Sequence, residues 1–101
     1  DLVLVEVEGT YRAMLEALLT GDRRALLRLT HSARRQLVPD PLLPLPADEA
    51  GQYIFCRPTR PLLRTQEDEI TYLVVCEAAG ERAEQVFTLR RDRDGVWRII
   101  P

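Results

Sequence analysis

Few side chains in this sequence are of a type, and at a spacing, that could do chemistry. There is one histidine, His31, and there are two cysteines, Cys56 and Cys76. His31 follows Thr30 where a short helical stretch begins, a place where a lone histidine serves capping or surface contacts. Without companion ligands it implies no metal site, and no cofactor is expected. The cysteines match neither a disulfide-dense scaffold nor the four-ligand spacing of zinc. A cysteine nucleophile with His31 as its base finds no support in the spacing either, because Cys76 falls in the middle of an apolar strand, where thiols are inert. Buried free thiols are therefore the expectation, with a single disulfide as the alternative. Asp40 follows the helical half of the chain, but Pro39 and Pro41 mark it as a turn residue rather than a general base. No Gly-rich phosphate loop occurs, so nucleotide binding through backbone amides is not expected.

The basic residues need the same weighing. Arg23, Arg24, Arg28, Arg34 and Arg35 crowd one region, where they form a solvated face balanced by acids such as Glu67, Asp68 and Glu69, or a docking patch for an acidic protein partner. The net charge of −2, from 14 basic and 16 acidic residues, lacks the overall positive field of a dedicated nucleic-acid binder. All the basic residues are Arg, with no Lys or Asn anywhere, which reads as GC-rich coding rather than as function.

These residues must be held by one core, since 101 residues with 46% hydrophobic content suffice for a single domain, 1–101. No apolar run approaches the roughly 20 residues of a membrane span, so a soluble chain is expected. It starts at Asp1 rather than Met. The compartment is left open by that, with the cytoplasm as the default.

The N-terminal half, 1–38, reads as helical. Leu4, Val7, Tyr11, Met14, Leu15 and Leu18 recur at helix spacing and predict a first helix over about 4–19. Gly21 supplies its stop, Asp22 caps a second helix carrying Leu26, Leu27 and Leu29, and Thr30 caps a short third. In residues 39–51, Pro39, Pro41, Pro44 and Pro46 stand too close for helix or central strand, and the segment reads as an extended crossing. From 52 onward the apolar period falls to two. "GQYIFC", "PLLRT", "EITYLVVCEA", "AEQVFTLRR" and "VWRII" read as strands. Helices first and strands after predict an α+β fold, with the N-terminal helices packed on one face of an antiparallel sheet.

The turns predict register. A two-residue loop at Gly80-Glu81 sets Val74 opposite Phe87 and Tyr72 opposite Leu89. A three-residue loop at Arg93-Asp94-Gly95, with Gly95 left-handed, sets Leu89 opposite Ile99 and Arg91 opposite Trp97. Both hairpins then share one inner surface of Ile70, Tyr72, Val74, Cys76, Phe87, Leu89, Trp97 and Ile99. The outer surface, with Leu73, Val75, Val86, Thr88 and Ile100 beside Glu77, Glu84, Arg90 and Arg98, is too apolar for a fully solvated face. It predicts an interface, most simply with a two-fold copy. Arg90 opposite Arg98 calls for a neighbouring carboxylate or anion.

With these elements in place, "TYRAMLEALLTGDRRALLRLTHSARRQL" and the closing "FTLRRDRDGVWRI" resemble the nuclear transport factor 2-like superfamily. The resemblance covers residues 5–38 and 69–100. It implies a cystatin-like α+β roll, in which the sheet curves around the first helix, and a pocket between them. Tyr11, Leu15, Tyr72, Val74, Phe87 and Trp97 would line that pocket here. The superfamily includes isomerases, dehydratases and noncatalytic association domains, and its enzymes set ionisable groups in that pocket. The inner surface derived above carries no Asp, Glu or His, and a tyrosine donor without a base abstracts no proton. The expected function is therefore noncatalytic association as a homodimer, with a small apolar ligand or partner segment in the pocket. An isomerase or dehydratase using Tyr11 and Tyr72, and nucleic-acid binding through the Arg-rich helices, are the alternatives.

Overall fold

The computed structural model describes residues 2–65 and 68–101, so Glu67 of the acidic run lies outside the described residues. Helix α1 spans Leu4–Thr20 and buries Val7, Tyr11 and Ala17. It ends at Gly21, which adopts φ +68° and donates its N–H to the Ala17 carbonyl. Glycine is required there twice over, because a Cβ would also lie 2.9 Å from the Leu42 carbonyl oxygen. Asp22 caps α2, Arg23–Leu29, by accepting a hydrogen bond from the Ala25 N–H at 3.0 Å.

The next cap is not the one expected. The ring of His31 accepts from the Ala33 N–H through Nδ1 at 3.1 Å and starts a 3₁₀ turn over Ser32–Leu37. Thr30 is buried and donates its hydroxyl back to the Leu26 carbonyl at 2.7 Å. Its backbone is instead engaged beside Ile99, in an isolated parallel bridge.

The proline segment is shorter than its composition suggests. It docks on the helices, with Leu45 N–H bonded to the Leu18 carbonyl, and Val38 and Leu42 packing against Ala17 and Leu26. After Pro46 the chain turns into α3, Ala47–Tyr53, whose first turn carries Asp48 and Glu49 where the helix dipole favours acids. "GQYIFC" is therefore mostly the end of a helix and a turn, not a strand.

Strand β1 runs Cys56–Thr65 and merges Cys56 with the predicted "PLLRT" strand. It lies at the sheet edge, where Pro58 and Pro61 cost little, and its register shifts after each of them. β2 (Glu69–Ala78), β3 (Glu81–Arg91) and β4 (Trp97–Ile100) follow in chain order, giving a four-stranded antiparallel sheet, β1-β2-β3-β4. The molecule is thus an α+β fold, N-terminal helices on one face of an antiparallel sheet.

The β2–β3 turn differs from expectation by one residue. Ala79 and Gly80 form it, at φ +52° and +79°, so Tyr72 faces Phe87 and Val74 faces Gln85. Moving a hairpin turn by one residue slides the ladder by two, which leaves every side chain on its predicted face. The β3–β4 turn is the predicted one, with Gly95 at φ +83° and Leu89 opposite Ile99. The core accordingly joins Val7 and Tyr11 of α1 to Ile70, Tyr72, Val74, Phe87, Leu89 and Ile99, with Cys76 and Trp97 packed at its margin.

Candidate functional site

Three places hold the residues that could act: the layer between α1 and the sheet, the outer face of the sheet, and the closing turn at Asp92–Gly95.

In the first, Tyr72, Val74 and Phe87 are core residues at 4%, 0% and 5% exposure. The Tyr11 ring meets Phe87 edge to face, with centroids 5.1 Å apart, so aromatic packing occupies the space where the resemblance implied a ligand. Burial raises the phenol pKa of both Tyr11, where Tyr53 adds to the effect, and Tyr72, where Arg64 opposes it. Both hydroxyls therefore stay protonated at neutral pH and offer no phenolate base. Trp97 is half-buried under the Arg91 guanidinium, whose carbon lies 5.1 Å from the ring centre.

The open space lies further out. A cleft of about 390 Å³ beside the edge strand is lined by Tyr11, Leu15, Glu8 and Arg12 from α1, and by Ile54, Phe55, Arg57 and Glu77 across from them. It brings Tyr11 and Leu15 together but not the other residues that the resemblance assigned to a pocket. Cys56 borders this cleft, and it is not a free thiol: it is bonded to Cys76. The expectation of free thiols fails because β1 begins at Cys56, and the register sets it directly opposite Cys76 on the inner face. An independent "GQYIFC" strand, as the sequence predicts, sets no register between the two cysteines.

On the outer face, Leu73 and Val75 are already covered at 8% and 7% exposure, whereas Val86, opposite Leu73, is 66% exposed and Leu63, opposite Thr71, 59%. Thr88 and Ile100 are partly exposed. Thr71 and Thr88 bond through their hydroxyls across β2–β3 at 2.9 Å. Arg90 stands opposite Arg98, as the register predicted, and each finds its own carboxylate: Arg90 meets Glu69 at 2.9 Å, and Arg98 meets Asp92 and Asp94.

The third place was missed. Asp92 is buried and accepts hydrogen bonds from the Ser32 hydroxyl at 2.7 Å, the Ser32 and Arg93 N–H groups, and Arg98. Ser32 first, then those backbone N–H groups and Arg98, hold its carboxyl well below the ordinary carboxylate range, against the opposing effect of burial. Arg98 lowers Asp94 in the same way. Serine, histidine and aspartate come together here, yet they are wired for structure. The Ser32 hydroxyl donates its hydrogen bond to the carboxylate, and His31 Nδ1 accepts from the Ala33 N–H, so the imidazole is not placed to activate the hydroxyl. The network ties the last hairpin to the 3₁₀ turn. The demand of Arg98 for a carboxylate was the one signal in the sequence that pointed to it.

Arg23 donates to the Pro39 carbonyl at 2.9 Å and lies 3.9 Å from the exposed carboxylate of Asp40, so both serve the crossing segment. Among the described residues no cluster of His, Cys, Asp and Glu could hold a metal, and no helix is long and apolar enough to cross a membrane. The chain matches no protein-family model, no curated protein and no solved structure.

Proposed function

We propose that this protein is a noncatalytic association domain of the nuclear transport factor 2-like kind, which docks another chain on the outer face of its sheet, most simply a second copy. The observation that carries this reading is the exposure of Val86, opposite Leu73, and of Leu63, opposite Thr71, on the outer face of the sheet. Leu73 and Val75 form the floor of this surface, and Val86, Leu63, Thr88 and Ile100 its contact groups. The packed Tyr11–Phe87 pair supports association over catalysis, since it fills the layer in which a substrate would lie. A small apolar ligand, on this reading, belongs in the cleft of Tyr11, Leu15 and Phe55 rather than in the core. The Cys56–Cys76 bond favours an oxidising compartment over the cytoplasm.

Light-scattering mass across a concentration series tests the proposal, on the wild type and on Leu63→Asp. Leu63 is the better probe than Val75, whose burial would turn an aspartate into a folding defect. A wild-type oligomer that Leu63→Asp reduces supports the outer face. A wild type that stays monomeric throughout rejects self-association there.

A further inference from the structure

Every sheet edge is a row of backbone donors and acceptors that must be covered, blunted or used. This protein treats its edges unequally. The free side of β1 is blunted by Pro58 and Pro61, by a register shift after each, and by Arg57, Arg60 and Arg64. The free side of β4 is covered, because Thr30 bridges to Ile99 and the His31 N–H bonds to the Ile99 carbonyl at 2.9 Å. One stretch receives neither treatment. β4 pairs only with Thr88–Arg91, so Glu81–Phe87 of β3 has no strand on that side among the described residues. It contains no proline and no register shift, and Glu77–Val86 are all exposed.

The ladder identifies which groups are unspent. The turn at Ala79-Gly80 makes Ala78 and Glu81 the closing hydrogen-bonded pair, so Glu81, Ala83 and Gln85 give their backbone groups to β2. Arg82, Glu84 and Val86 direct theirs outward. Arg82 and Glu84 also share the outer face, exposed and paired with each other at 3.1 Å.

We propose that this edge joins a second copy of the chain, β3 to β3 and antiparallel about a two-fold axis at Ala83, making one continuous sheet. In that register Arg82 lies opposite Glu84 of the copy and Glu84 opposite its Arg82, so the charge pattern is complementary to itself. The small Ala83 meets its own equivalent on the axis, and Gln85 meets Glu81. Sliding the axis to Glu84 would set two glutamates face to face, which disfavours that register. The length also fits: Gly80 of the copy reaches the level of Val86, just short of Thr88, where the pairing of β3 with β4 starts. Strand addition supplies the affinity through the backbone, and the Arg82–Glu84 pattern selects the same chain over a foreign strand. The proposal goes beyond the outer-face reading, since it uses a different surface.

The test is charge complementation, read as dissociation constant by analytical ultracentrifugation. Arg82→Glu and Glu84→Arg each set like charges opposite one another in the self-pair and should weaken self-association about tenfold or more. An equimolar mixture of the two variants restores opposite charges at both positions and should form a heterodimer as tight as the wild-type pair. Glu84→Pro removes an outward N–H without touching the β2 ladder and should abolish pairing. A wild type that remains monomeric at the highest concentration reached, as it would if the edge served a foreign strand, overturns the proposal. So do single variants that associate like the wild type, or a mixture that fails to complement. An oligomer untouched by these changes but dispersed by Leu63→Asp overturns the edge while leaving the outer-face reading intact.

Discussion

Reducing the Cys56–Cys76 bond should destabilise the fold by an amount that can be worked out in advance. The bond closes a loop of sequence separation 20, from the start of β1 to the inner face of β2. In the chain-entropy account a loop of that length removes about 3 kcal/mol of conformational freedom from the unfolded chain. For a domain of this size that corresponds to a melting midpoint roughly 15 °C lower on reduction. Hairpin contacts surviving in the denatured chain would shrink the effect, because the crosslinked strands are sequence neighbours and pair readily. The assay compares urea and thermal unfolding of the same preparation with and without reductant, so that side-chain volume in the core is unchanged. Alkylation of denatured, unreduced protein counts the thiols beforehand and should label neither cysteine. Identical midpoints in both states would refute the reasoning, and two labelled cysteines would restore the free-thiol expectation.

Three further outcomes follow from the packing and the turns. Leu89→Ala removes a fully buried side chain beneath α1 and should cost about 3 kcal/mol, read from the urea midpoint; a loss below 1 kcal/mol would mean that the core collapses onto the site. Asp92 titrates near its ordinary 3.8 when unfolded and well below that when folded, so its contribution is intact above about pH 4 and is lost as pH falls towards its native value. Asp92→Asn should therefore lower stability at neutral pH and flatten its decline below pH 4, and an unchanged acid profile would count against the network. Ala79 holds φ +52° in the β2–β3 turn, so Ala79→Gly should stabilise by about 0.5 kcal/mol in thermal unfolding, and a lower midpoint would contradict the turn assignment.

The sequence was informative where one physical rule decided a residue's place. Period-two spacing put Ile70, Tyr72, Val74, Phe87, Leu89 and Ile99 on one surface, and an error of one residue in the turn could not move them off it. Gly95 fixed the last hairpin because its positive φ left one loop length that also turned Trp97 inward. The failures have a common cause, which is competition between local signals and distant contacts. Thr30 is a good cap by composition, but its backbone is drawn to Ile99, so capping passes to His31. "GQYIFC" has strand residues, yet Pro46 and the acids after it start a helix that runs through Tyr53. The disulfide and the Asp92 network depend on contacts 20 and 60 residues apart, which no local pattern encodes.

The two hairpins of this sheet differ in how fully their polar groups are paired. The β3–β4 turn has its donors and acceptors matched: Asp92 takes the Ser32, Arg93 and Arg98 bonds, Arg98 reaches both Asp94 and the Arg28 carbonyl, and the β4 edge is covered by residues 30 and 31. The β2–β3 hairpin projects from Glu77 to Val86 with exposed side chains, and the outer side of β3 over Glu81–Phe87 has no partner strand among the described residues, although this hairpin is the more regular of the two. A fold that blunts β1 with prolines has the means to blunt β3 as well, and the price of one more proline at an outward-facing position would be small. A regular edge carrying Arg82 and Glu84 at alternate positions is therefore the first surface on which the proposed self-pairing should be tested, ahead of the cleft beside α1.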